Sequence, residues 1–198
     1  VLDSFDDNVK TGWTDFTFFT GFGLPGEADG QFKFTLTPKG FPIFSGSTKT
    51  SRTFEVTDGE RLVFSVDLVS GNGPDAYGVL AFIPVTNSVS TLSGYGFAKS
   101  SSDILITKGI EKYFYNEGVA LKNDNVTMVL SLEGRGTSVI IHAQVLDKDN
   151  NNAVLWERTV VDTEAADILA DGTDDPAVPY LGTGNLALST SQDLAFQI

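Results

Sequence analysis

NVTMVLSLEGRGTSVIIHAQV, residues 125–145, holds two runs with the period-2 alternation of strands, joined by the turn residues Gly134, Arg135, Gly136 and Thr137. In the first run Val126, Met128, Leu130 and Leu132 alternate with Thr127, Ser131 and Glu133. In the second, Val139, Ile141, Ala143 and Val145 take one face, while Ile140, His142 and Gln144 take the other. One face of this hairpin is dry and the other chemically mixed. A hairpin cannot bury its own apolar face, so the flanking chain must supply a second sheet to cover it.

Working outward, the flanks supply strands. Trp13 to Phe19 alternates with Phe16 and Phe18 expected inward, and Gln31 to Leu36 is a short strand. Thr53–Val56 and Arg61–Val69 read as a hairpin about Asp58-Gly59, with Leu62, Phe64, Val66 and Leu68 on one side. Tyr77–Val85, Ile104–Ile106, the EKYFY run from Glu111 to Tyr115, Ala153–Val161, Leu186–Leu188 and Leu194–Ile198 add further strands. Leu2–Phe5 and Ala195–Ile198 are both strand-like, and pairing between them would bring the ends of the domain together. The 20 Gly and 7 Pro concentrate between the strands, and no segment has sustained helical periodicity. The expected fold is a single all-β domain over residues 1–198, a two-sheet antiparallel sandwich of jelly-roll type.

The net charge is −13, from 13 Lys plus Arg against 26 Asp plus Glu, a field that repels phosphate backbones and anionic membranes. Nucleic acid is therefore not an expected partner. Absence of Cys excludes disulfides, zinc-thiolate sites and thiol nucleophiles, and no apolar run has the length for membrane insertion. The first residues already read as folded chain. The expectation is a module of a larger secreted bacterial protein, extracellular or at the cell surface, with its signal peptide removed.

The opening Asp3-Ser4-Phe5-Asp6-Asp7 with Gly12-Trp13, the 125–145 hairpin, Trp156-Glu157-Arg158-Thr159-Val160-Val161-Asp162-Thr163 and Leu194-Ala195-Phe196 together resemble the concanavalin A-like, laminin-G-like jelly rolls of secreted bacterial proteins. That resemblance implies two curved antiparallel sheets, frequently a carbohydrate-binding or adhesive, lectin-like role, and sometimes a structural calcium ion. Related jelly-roll glycosidases display two or three carboxylates along one strand, and this chain does not: Glu55, Asp58 and Glu60 straddle a turn and Glu133 is alone on its strand. Alginate-lyase jelly rolls use His, Gln, Tyr and Arg, which keeps a polysaccharide lyase as the alternative reading. His142 with Gln144, Arg135, and Tyr113 with Tyr115 are the matching residue types here, although the family's Gln-x-His order is missing.

A sugar offers apolar C–H faces and hydroxyl edges, so its site needs an aromatic platform beside carboxylate, amide or imidazole groups. Most of the 15 Phe belong in the core, and Tyr and Trp have polar tips suited to the surface. Tyr95, Tyr113, Tyr115 and Trp156 are the platform candidates. Asp67, His142 and Gln144 are their polar partners on the face expected to be concave. The expected partner is a polysaccharide or other glycan, no cofactor is required, and a structural spacer is the third reading. Asp171, Asp174 and Asp175 are the candidate calcium ligands, because clustered carboxylates repel unless a cation separates them. Asp147, Asp149 and Asn151 match the start of a calcium-binding loop, but Asn152 replaces its glycine and Arg158 its final Glu, so a plain turn is the expectation there.

Overall fold

The computed structural model describes residues 12–16, 26–28, 31–34, 46–71, 78–85, 94–109, 112–122, 124–163, 179, 181–190 and 194–197. These form β1 (Trp13–Phe16), β2 (Gly26–Ala28), β3 (Gln31–Phe34), β4 (Gly46–Thr50), β5 (Phe54–Val56), β6 (Arg61–Gly71), β7 (Gly78–Pro84), β8 (Tyr95–Lys99), β9 (Asp103–Lys108), β10 (Lys112–Gly118), β11 (Val126–Arg135), β12 (Ser138–Asp147), β13 (Ala153–Asp162), β14 (Gly182–Thr190) and β15 (Leu194–Gln197). One 3-10 turn at Lys148–Asn150 joins β12 to β13. An eight-stranded sheet runs β1-β4-β14-β7-β8-β9-β10, with β5 also paired to β14, and a seven-stranded sheet runs β13-β12-β11-β6-β15-β3-β2. All strand pairs are antiparallel. The molecule is an all-β sandwich of jelly-roll type.

The hairpin at 125–145 forms as its alternation predicts. β11 and β12 pair from Val126↔Asp147 to Arg135↔Ser138, leaving only Gly136 and Thr137 in the turn. Val126, Met128, Leu130, Leu132, Val139, Ile141, Ala143 and Val145 are all buried against the other sheet, which contributes Leu80, Phe82, Phe97, Ile104, Ile106 and Leu188. Burial of each of these Val, Leu, Ile, Met and Phe side chains contributes about 1.5–3 kcal/mol, which makes this layer the main support of the fold. Trp13 joins the same core at 6 % exposure, whereas alternation with Phe16 inward assigns it the opposite face.

The expected hairpin at Thr53–Val69 is not one. The reversal at Asp58-Gly59 is real, but β5 pairs with β14 in one sheet and β6 pairs with β11 in the other, so the turn is a corner between layers. Gly134 receives this corner. Gly59 N–H donates to Gly134 O at 2.9 Å, Gly134 N–H donates to Glu60 O at 3.2 Å, and Gly136 N–H donates to Asp58 Oδ1 at 2.6 Å. Asp-Gly specifies a reversal. Which layer each arm enters is decided by Val56 and Phe64, both buried, packing from their own sheets. The pairing proposed for Leu2–Phe5 lies outside the described residues; among these, β15 pairs with β6 and β3.

Charged groups also enter the interior. Lys108 Nζ lies 2.7 Å from Asp162 Oδ2, with both side chains almost wholly buried, and the Tyr95 hydroxyl donates to the same oxygen at 2.6 Å. Tyr95 and Lys108 face each other across β8 and β9, so two neighbours in one sheet grip the end of β13 in the other.

Lys99, at the end of β8, is fully buried and donates to Ser100 O at 3.0 Å. Burial lowers its pKa to about 8 from 10.5, partly opposed by the Asp124 carboxylate. Because the folded-state value is the lower one, the unfolded chain holds the extra proton between those limits, and stability rises with pH from about 8 to 10.5. Lys99→Met should therefore raise stability at pH 7 by about 1–3 kcal/mol and flatten that rise, as urea unfolding at pH 7 and pH 10 will show. A less stable variant, or one with an unchanged pH slope, contradicts this account.

Candidate functional site

The strands divide the expected site residues into separate groups. Asp67 on β6 and His142 and Gln144 on β12 share the outer face of the seven-stranded sheet, since their neighbours Val66, Leu68, Ile141, Ala143 and Val145 point into the core. The polar groups of this face are internally paired, and Val63 and Val161 stand exposed among them. His142 Nδ1 is 2.8 Å from Thr159 Oγ1, Gln144 Nε2 donates to Glu157 Oε2 at 3.1 Å, and Arg61 Nε donates to Ser131 Oγ at 2.6 Å. Asp67 accepts from Thr127 Oγ1 at 2.6 Å and pairs with Lys148. None of the expected aromatic platforms stands on this face.

Tyr95 is corrected outright: it is 0 % exposed, in the core, with its hydroxyl used by Asp162. A tyrosine can be buried whole when its hydroxyl finds a partner, and Asp162, itself buried, provides it. Tyr113 and Tyr115 do not share a face in the regular way, because the register of β10 on β9 shifts between them; Tyr115 turns into the sandwich and Tyr113 is partly buried.

Trp156 and Tyr115 do meet, though on different sheets. Among the described residues β13 ends the seven-stranded sheet and β10 ends the eight-stranded one, and the two ends lie on the same flank. Trp156 stacks on Phe97 with ring centroids 5.9 Å apart and planes at 12°, and tilts against Tyr115 at 5.4 Å and 51°. Two residues along β13, Arg158 holds its guanidinium 5.0 Å from the Tyr115 ring centroid. Two residues along β10, Glu117 accepts the Tyr115 hydroxyl at 2.8 Å. Burial, followed by the Glu117 hydrogen bond, raises the Tyr115 pKa, so the phenol keeps its proton at neutral pH.

The result is a cluster of two aromatic rings, one carboxylate and one guanidinium across the seam between the sheets. Arg158 and Glu117 are exposed, and among the described residues Arg158 makes no hydrogen bond or ion pair through its guanidinium. Stacking holds that fork of donors in place without using its hydrogen bonds. The sequence reading named Tyr115 and Trp156 but missed Arg158 and Glu117. The i, i+2 spacings Trp156-x-Arg158 and Tyr115-x-Glu117 were visible, but their meeting depends on both strands ending sheets on one flank.

At the β12–β13 turn, Asp147 caps the 3-10 turn by accepting from Asp149 N–H at 3.1 Å. Lys122 Nζ sits 2.5 Å from Asp147 Oδ1 and 2.6 Å from Asp149 Oδ2. The carboxylates of Asp147, then of Asp149, raise the Lys122 pKa, and Lys122 in turn holds Asp149 below the usual carboxylate range. A lysine ammonium stands where a metal ion would be needed, in keeping with the plain-turn reading. Asn151 and Asn152 adopt φ of 52° and 58°, which Asn tolerates. Asp171, Asp174 and Asp175 lie outside the described residues. Among the described residues no group of three His, Cys, Asp or Glu is placed to hold a metal.

No protein-family model and no curated protein sequence matches the chain. Solved structures do match in fold. The carbohydrate binding module CBM66 from Bacillus subtilis aligns with a TM-score of 0.51 at 12 % identity, over 94 % of this chain and 91 % of that one. The carbohydrate recognition domain of Emp46p aligns in its metal-free form with a TM-score of 0.52 at 10 % identity, over 94 % and 85 % of the two chains. Its potassium-bound form gives 0.51 at 12 %, over 95 % and 86 %. The similarity is one of fold, and it spans nearly the whole chain.

Proposed function

We propose that this domain is a non-catalytic carbohydrate-binding module whose contact surface is the flank where β10 and β13 meet. The observation that carries the reading is the cluster of Trp156, Tyr115, Arg158 and Glu117, in which a half-buried Trp156, packed on the buried Tyr115, lies on one flank with an exposed charged donor and an exposed charged acceptor for hydroxyls. Two solved structures of this fold are carbohydrate-binding or carbohydrate-recognition domains, which supports the same reading. The lyase alternative loses its basis: Tyr113 and Tyr115 belong to the eight-stranded sheet, His142 and Gln144 to the outer face of the other sheet, and Arg135 pairs with Glu133 at 2.7 Å. A general base and its partners must reach one substrate atom, and these do not converge.

A glycan array with affinity electrophoresis on neutral and acidic polysaccharides tests the reading. Arg158→Ala should weaken binding about tenfold, the loss expected when a charge-assisted hydrogen bond goes, and leave stability within about 1 kcal/mol because the side chain is exposed. His142→Ala should leave binding unchanged. Silence of the wild-type protein across both panels removes the binding reading and leaves the spacer; loss of binding in His142→Ala moves the surface to the outer face.

A further inference from the structure

We propose that Lys108 and Asp162 condense with one another, forming an amide between Lys108 Nζ and Asp162 Cγ that fastens the two sheets covalently, with Tyr95 as the proton relay. The ion pair is then the reactant state. Lys108 Nζ lies 2.7 Å from Asp162 Oδ2, with side-chain exposures of 3 % and 0 %. That contact leaves the amine one C–O bond from the carboxyl carbon, and burial holds both groups so that their encounter needs no further ordering. The Tyr95 hydroxyl donates to the same oxygen at 2.6 Å. Asp162 Oδ1 is buried and has no hydrogen-bond partner. A buried ion pair recovers its desolvation cost only where hydrogen bonds satisfy the remaining oxygens, and here one oxygen is left out. Condensation removes both charges and leaves Oδ1 as the carbonyl oxygen of a neutral amide, for which an unmet hydrogen bond costs less.

The step balances with the groups present. A proton passes from the Lys108 ammonium to the carboxylate across their contact, giving a neutral amine and a neutral acid. The amine lone pair forms the Nζ–Cγ bond, and the Cγ–Oδ2 bond breaks. Oδ2 takes a proton from the Tyr95 hydroxyl while Nζ gives one back to the phenolate, so Tyr95 is restored and one water leaves. Nothing is oxidised or reduced and no co-reactant enters, so burial is no barrier to the reaction. The link joins β9 of the eight-stranded sheet to β13 of the seven-stranded one and closes a loop that holds β10, β11 and β12. The competing account is a permanent ion pair with a half-satisfied carboxylate.

Intact mass spectrometry of the whole domain, unfolded after purification, tests this. Wild-type protein should be lighter than its sequence by one water. Trypsin should cleave the unfolded chain after Lys99, which is also buried but bonds a backbone carbonyl, and should not cleave after Lys108. The digest should contain one branched peptide in which Lys108 Nζ is joined to Asp162. The branched peptide matters because an Asp-Gly step such as Asp58-Gly59 can also lose water, by closing on its own backbone. Lys108→Arg keeps the positive charge but has no primary amine, and should show its full sequence mass whether or not it folds. Tyr95→Phe keeps the ion pair and removes the relay, so the linked fraction in freshly made protein should fall about tenfold. Full sequence mass with ordinary cleavage after Lys108 in folded wild-type protein overturns the inference, as does a water loss that survives in Lys108→Arg or maps elsewhere. Equal linkage in Tyr95→Phe overturns the relay. None of these results touches the glycan-binding reading, which rests on the flank cluster.

Discussion

Asp162→Ala should lower the stability of the domain by about 3–5 kcal/mol in urea unfolding at pH 7. The carboxylate is 0 % exposed, 2.7 Å from the Lys108 ammonium and 2.6 Å from the Tyr95 hydroxyl, and removing one member of a buried ion pair leaves the other desolvated without its counter-charge. The loss also unties the two layers at one place, since Asp162 belongs to β13 and its partners to β8 and β9. Tyr95→Phe, which removes one hydrogen bond to the same oxygen, should cost less, about 1.5–3 kcal/mol. A loss below about 1 kcal/mol for Asp162→Ala contradicts the assignment of this pair as a tie between the sheets.

Gly134→Ala is expected to cost about 2–4 kcal/mol. A Cβ there meets Thr57 O at 2.3 Å, Thr57 C at 2.6 Å and Asp58 N at 3.1 Å, all backbone atoms of the corner that β11 supports. The backbone must move, and the hydrogen bonds from Gly59 to Gly134 and from Gly134 to Glu60 go with it. Gly136→Ala, two residues on, supplies the control. It has open space within 4 Å and only a φ of 59° against it, so about 1 kcal/mol is expected. Equal effects of the two substitutions would mean that the corner does not bear on Gly134.

The 125–145 hairpin was legible because its alternation is unbroken and its period fixes which side chains face the core. The corner at Asp58-Gly59 was legible only as a reversal. A turn reports on four residues, whereas the choice between layers depends on strands distant in sequence, β11 beginning at Val126 and β14 at Gly182. Tyr95 was misread for a related reason: its surroundings are set by Asp162, 67 residues on. The candidate site suffered most, because Arg158 and Glu117 have ordinary solvated contexts in the sequence and become a pair only where two sheets end together.

The order of strands carries a consequence for how the chain can reach this state. β14 lies between β4 and β7 in one sheet, and β15 lies between β6 and β3 in the other. Each sheet therefore keeps a vacant slot in its middle until residues 182–197 have been synthesised, and no earlier fragment can complete either layer. Folding must wait for the late strands and then close long loops, which favours slow folding and leaves open strand edges in the interval.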